Sequence, residues 1–245
     1  MTPVRTAVQS VPTEQKRLRM SYEEFLTWAD EDIHAEWVNG EVIVHMPPKK
    51  VHQEIVGFLY RLLGFFTDFF QLGEVLVAPF EMKLAPDGPA RQPDILFVAS
   101  EHLERLTEDR LLGPADLVVE VVSPDSVRRD YVEKFTEYER YGVREYWVID
   151  SRPGHRNADF WVRDQRSQFQ AADVGEEGVY RSAVLPGFWL RTEWLWTTPL
   201  PNPLFAFAEI AGFPPETVNA LHQLAAKGLP GAEDKGDNQT PKSDT

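Results

Sequence analysis

Apolar residues recur at helical spacing from Lys49 to about Phe70, where Val51, Ile55, Leu59, Leu62, Phe66 and Phe69 share one stripe. This predicts the longest amphipathic helix of the chain. Ahead of it, Ser21 stands three positions before Glu24, the spacing of a capping box, so a short helix is expected to begin there. Asn39-Gly40 lies between two apolar runs and predicts a hairpin, because both central positions of its tight turn need positive φ. Strands follow at "GEVLVAPFEMKL", "PDILFVA" and "DLVVEVVS", each bounded by Gly, Pro or Asp. A helix from about Ser126 to Tyr141, stopped by Gly142, and a strand "EYWVID" come next. The order implies an α/β layout, its sheet buried between helices. Alternation through "ADFWVRD", "SQFQAADV" and "GVYRSAVLPGFWL" predicts further strands that extend this sheet or pack beside it.

The expected organisation is a flexible arm over residues 1–20, one domain over 21–198, a helical extension over 199–227 and a polar, disordered end over 228–245. No stretch approaches the roughly 18 apolar residues of a membrane span, and the N-terminus lacks the apolar core of a signal peptide. The expectation is a cytosolic protein without membrane contact. There is no cysteine, so any metal must be held by carboxylates or histidine. A net charge of −14 excludes a uniformly basic nucleic-acid surface. The sequence contains no G-x-G-x-x-G, G-x-x-x-x-G-K-[ST], G-x-S-x-G or H-E-x-x-H, which removes the usual signatures of nucleotide-driven work, serine hydrolysis and zinc proteolysis.

Against this background a few polar residues fall on apolar faces. Glu120 stands mid-strand among Val118, Val119, Val121 and Val122, sharing a face with Val118 and Val122. Asp94 opens the preceding strand on the face of Leu96 and Val98. Two carboxylates directed out of apolar strands repel unless a cation lies between them. Oxygen ligands point to Mg²⁺ or Mn²⁺ over zinc. On a helical wheel of the next segment with Tyr131 at zero, Lys134 falls at about −60°, between Tyr141 at about −80° and Val127 at about −40°. Snorkelling at the stripe's edge is one reading of this lysine; the other is that its ammonium reaches the carboxylate pair, where it could offset developing negative charge. The charged neighbours Arg128, Arg129, Glu133, Glu139 and Arg140 fall outside the stripe, as solvated charges do, although Arg128, Arg129 and Arg140, with Arg144, could equally supply a small basic rim near the site. His52 lies on the buried stripe of the long helix, between Leu59 and Leu63, and is carried as a metal ligand or water-positioning base. Glu36 reads, on spacing alone, as an ordinary strand-edge charge.

"QPD" at 92–94, "PADLVVEVVSPDS" at 114–126, Asp130, Lys134 and "YGVREYWVID" at 141–150, with "EWVNGEV" at 36–42 and "PPKKVHQEIV" at 47–56, together resemble the Uma2 family of the PD-(D/E)XK restriction-endonuclease-like superfamily. The resemblance spans roughly residues 20–190. It implies a restriction-endonuclease-like core, a mixed central β-sheet flanked by helices, with additional C-terminal strands and helices. It also implies that Asp94 and Glu120 bind a catalytic Mg²⁺ or Mn²⁺. The superfamily's lysine normally follows the acidic residue by two positions, which is Val122 here; in Uma2-like sequences it stands on the next helix, the place of Lys134. Glu36 and His52 match the remaining polar positions, Glu36 mainly through the resemblance. The implied activity is metal-dependent phosphodiester hydrolysis, with DNA as the expected substrate and a homodimer as the expected assembly. Two alternatives stand beside it: a nuclease fold kept as a non-cutting binding or assembly module, and a hydrolase of RNA or a small phosphodiester.

Overall fold

The computed structural model describes residues 18–29 and 34–227. Residues 1–17 of the arm expected over 1–20, and the whole tail expected over 228–245, lie outside the described residues. Leu18–Arg19, within the expected arm, already forms an edge strand on Glu41–Val44.

A six-stranded mixed sheet organises the domain. Its order is Phe169–Ala171, Asn157–Arg163, Glu145–Asp150, Leu117–Val122, Ile95–Ala99 and Gly73–Val77. Only Leu117–Val122 and Glu145–Asp150 run parallel; every other pair is antiparallel. The parallel pair needs a crossover, supplied by the helical segment from Arg129 to Tyr141. Both strands of that pair are buried along their whole length, as expected where helices cover both faces.

Alternation sorts the strand residues between two cores. Leu117, Val119 and Val121 join Ile95, Phe97, Trp147 and Ile149 beneath the long helix Lys50–Phe70, with Ile55, Leu59, Leu62 and Phe66. Val118 and Val122 join Leu96, Val98, Tyr146 and Val148 beneath Tyr138 of the crossover. Glu120 therefore emerges on the crossover side. The long helix outruns its sheet: Phe69, predicted on the buried stripe, is 58% exposed, and it packs instead on Phe207 and Phe213 of the C-terminal part.

A second six-stranded sheet runs Leu18–Arg19, Glu41–Val44, Ala35–Val38, Ala90–Arg91, Glu81–Lys83, Arg110–Leu112. Its hairpin turns at Asn39 and Gly40, both at positive φ, and the expected Ser21–Glu24 capping box is formed. "GEVLVAPFEMKL", expected as one strand, is divided at Pro79 between the two sheets, since Gly73–Val77 pairs with Ile95–Ala99 and Glu81–Lys83 with Ala90–Arg91. Among the later strands, two extend the main sheet, and Val179–Arg181 with Trp189–Arg191 form a separate pair. The helices Pro203–Ile210 and Pro215–Ala226 complete the described chain.

Candidate active site

The antiparallel register Ile95↔Val119 and Leu96↔Val118 runs on to set Asp94 opposite Glu120. Asp94 stands one residue before its strand rather than within it. Its Oδ2 accepts a hydrogen bond from the Val121 amide at 2.7 Å, which ties the carboxylate to the neighbouring strand. His52 comes from the long helix and places Nε2 3.2 Å from the same oxygen. Both acidic residues line a cavity of about 460 Å³, together with His52, Arg129, Asp130 and Lys134.

Lys134 enters from the crossover. The turn from Arg129 to Lys134 is π-helical, a wider turn than the α-helix and a frequent feature of functional sites. It buries Asp130 and Lys134 together. The Lys134 ammonium lies 2.7 Å from Glu120 Oε1, 3.0 Å from Glu36 Oε1 and 4.0 Å from Asp130 Oδ1. Tyr138, one helical turn on, donates its hydroxyl to Glu120 Oε1 at 2.9 Å, and Tyr146 holds the Asp130 carbonyl at 2.9 Å.

Burial and charge set the protonation balance. Burial pushes the Glu120 carboxyl up to about 8, aided by the like charges of Asp130, Asp94 and Glu36 and opposed by Lys134. Asp94 moves the other way: burial favours its neutral form, but the His52 contact and the Val121 amide outweigh this and lower it. Burial would likewise lower Lys134, yet Glu120, Glu36 and Asp130 raise it. Lys134 is thus charged at neutral pH.

Glu36 reaches the cluster from the hairpin, but not the cavity wall. Oε1 accepts from Lys134 and from the Gln92 amide at 3.1 Å, and Oε2 from Arg91 at 2.9 Å. Both oxygens of Glu36 are thus occupied by Lys134, Arg91 and the Gln92 amide. Arg91, fully buried, is the residue that sequence reasoning missed here. It bridges Glu36 to Glu137, with contacts of 2.7 and 2.9 Å to the latter. Its one signal was its place beside "QPD". Asp130 was visible in the motif without a role, and Arg129, read either as a solvated charge or as part of a basic rim, lines the cavity.

Two opposed carboxylates suit a hard divalent cation by donor chemistry, and their mutual repulsion, which helps raise Glu120, is what such a cation would relieve. His52 directs its Nε2 at Asp94 and leaves its Nδ1 buried without a hydrogen-bond partner. Among the described residues no three histidine or acidic side chains meet as a preformed metal cage.

A mixed sheet flanked by helices, with an acidic pair opposed across adjacent central strands and a lysine on the crossover, defines a restriction-endonuclease-like fold. The crystal structure of a putative nuclease belonging to DUF820 from Anabaena variabilis has the same fold, with a TM-score of 0.58 and 16% sequence identity over 71% of this chain and 96% of that one. The chain belongs to the Uma2 family, described as putative restriction endonuclease, whose model matches residues 22–193. No functionally curated protein matches the sequence.

Proposed function

We propose that this protein is a divalent-metal-dependent endonuclease that hydrolyses phosphodiester bonds in DNA. The observation that carries the reading is the buried contact of 2.7 Å between Lys134 and Glu120 at a cavity that Asp94 also lines. Asp94 and Glu120 are the residues that would hold Mg²⁺ or Mn²⁺, which when bound lowers the pKa of a water and offsets charge on the phosphate. His52 fixes the orientation of Asp94 through Nε2. Glu36 and Asp130 hold the Lys134 ammonium beside Glu120, where its positive charge favours the developing phosphorane. Tyr138 fixes the Glu120 oxygen that Lys134 contacts. Family membership supports a nuclease; the choice of DNA and of the metal is our own reading. So are the homodimer, for which Phe65, Phe69 and Phe70 offer exposed apolar surface, and the cytosolic setting. Among the described residues no helix is long and apolar enough to cross a membrane.

The test is cleavage of single-stranded and duplex DNA in Mn²⁺ and Mg²⁺, with RNA and a small aryl phosphodiester as parallel substrates. Wild type is compared with Asp94→Asn and Glu120→Gln. Cleavage lost in both variants supports the reading. Equal residual cleavage by all three would indicate a contaminant and overturn it, and a preference for RNA or the small ester would reassign the substrate.

One observation favours a second reading, a non-cutting binding module. The chain carries a net charge of −14, while a nucleic-acid path needs local positive potential. Metal-induced stabilisation separates the two: Mn²⁺ should raise the melting temperature of wild type more than that of Asp94→Ala if the site is functional, and equal shifts would favour the module.

A further inference from the structure

Lys134, the cation that the sequence directs at the reaction centre, is 2% exposed and surrounded by Glu120, Glu36 and Asp130. Its charge is engaged within the protein, so it cannot by itself draw a phosphate into a cavity also walled by Asp94 and Asp125. Two other permanent cations line that cavity, Lys49 at the start of the long helix and Arg129. Arg129 differs from its neighbour Arg128, which pairs with Glu133 at 3.4 Å. It forms no ion pair among the described residues, and its Nε is buried without a hydrogen-bond partner.

A buried N–H without an acceptor is costly and uncommon, and calls for an explanation. The guanidinium fork is complementary to the oxygens of a phosphate. The backbone accounts for its position. On a regular wheel Arg129 lies about 160° from Tyr131, on the solvent side. The π-helical turn that starts at Arg129 breaks that periodicity, and the residue lines the cavity in the same turn that buries Asp130 and Lys134.

We propose that Arg129 is the substrate-phosphate ligand of this site, its guanidinium receiving a backbone phosphate of the nucleic-acid strand while Lys134 remains committed to the carboxylates. This rests on the phosphodiesterase reading above and divides the two cations by role. Arg129 binds the strand, and Lys134, held beside Glu120, offsets charge at the reacting phosphate.

The experiment is fluorescence anisotropy of a labelled oligodeoxynucleotide in Ca²⁺ over a series of salt concentrations, followed by cleavage in Mn²⁺. It uses wild type, Arg129→Gln, Arg129→Lys and, as a charge-matched control, Arg166→Gln, whose side chain is exposed on a hairpin loop away from the cavity. Arg129→Gln should weaken binding roughly tenfold and reduce the slope of log K against log salt by roughly 0.7 to 0.9. Arg129→Lys should recover part of both, and Arg166→Gln should match wild type. Wild-type affinity and salt slope in Arg129→Gln would overturn the assignment while leaving the nuclease reading intact. A wild type that neither binds in Ca²⁺ nor cleaves in Mn²⁺ would instead overturn the nuclease reading, and this proposal with it. Should Arg129→Gln melt below the assay temperature, Arg129→Lys carries the test, and affinity equal to that of Arg166→Gln then counts against the proposal.

Discussion

Lys134 Nζ lies 2.7 Å from Glu120 Oε1, and both side chains are almost wholly buried. The same ammonium also contacts Glu36 at 3.0 Å. Removing it leaves buried Glu120 with the Tyr138 hydroxyl and takes one of the partners from Glu36, so Lys134→Met should destabilise the fold by about 3 to 5 kcal/mol. Glu120→Gln keeps a carbonyl acceptor for the lysine and should cost far less while abolishing cleavage. In urea denaturation the double variant should be more stable than Lys134→Met alone, because one stranded charge is gone. Simple additivity of the two single changes would mean that the contact has no energetic weight.

Arg91 should prove as sensitive, although it does not line the cavity. Its guanidinium is fully buried between Glu36 and Glu137, and burial, which alone would lower it, is outweighed by both carboxylates. Arg91→Ala should cost about 3 to 5 kcal/mol. Arg91→Lys should recover only part, since one ammonium cannot match the fork that serves Glu137 twice and Glu36 once. A melting temperature unchanged in Arg91→Lys would show that charge alone suffices here.

What was legible in the chain is what short-range periodicity controls. Glu120 announced itself by parity within a valine strand, and Lys134 by its place on a helical stripe; each argument needs only a few consecutive residues. The opposition of Asp94 and Glu120 followed once their strands were taken as neighbours. The Glu36–Arg91 pair was not legible, because its members are 55 positions apart and meet only through the pairing of Ala35–Val38 with Ala90–Arg91. Arg129 was left open between a solvated charge and part of a basic rim near the site, for a different reason. The wheel assumed α-helical geometry across a turn that is π-helical. Pattern also failed at "GEVLVAPFEMKL", where one strand-like stretch serves two sheets.

His34, on the wall of the same cavity, provides a pH prediction. Burial, helped by His45 with ring centroids 4.6 Å away, lowers it to about 4. In the unfolded chain the imidazole takes a proton near pH 6.5, whereas the folded protein resists protonation down to about 4. Unfolding is therefore coupled to proton uptake between these values, and stability present above pH 6.5 is lost as the pH falls toward 4. Melting temperature followed across this window should decline more steeply in wild type than in His34→Asn. Parallel curves would remove His34 as a source of the acid sensitivity.

Glu145 is a fully buried carboxylate outside the candidate site. It lies on the parallel pair opposite Leu117, yet its side chain serves the C-terminal strands. Oε1 accepts from Trp147 Nε1 at 2.7 Å and from the Tyr180 hydroxyl at 2.8 Å. Oε2 accepts from Ser182 Oγ at 3.0 Å and from the amides of Ala183 and Val184 at 2.9 and 2.8 Å. Five donors converge on one charge, and this carboxylate fastens the Val179–Arg181 pair to the central sheet. Glu145→Gln presents an NH₂ where only acceptors fit, and an unmet buried donor costs about 1 to 3 kcal/mol. Glu145→Ala strands all five donors and should cost more. Amide hydrogen exchange supplies the discriminating measurement, because protection should fall first at Ala183 and Val184 and in the Trp189–Arg191 strand, while Leu117–Val122 keeps its own. Uniform loss across both regions would mean that Glu145 supports the central sheet itself and not only the attachment of the C-terminal strands.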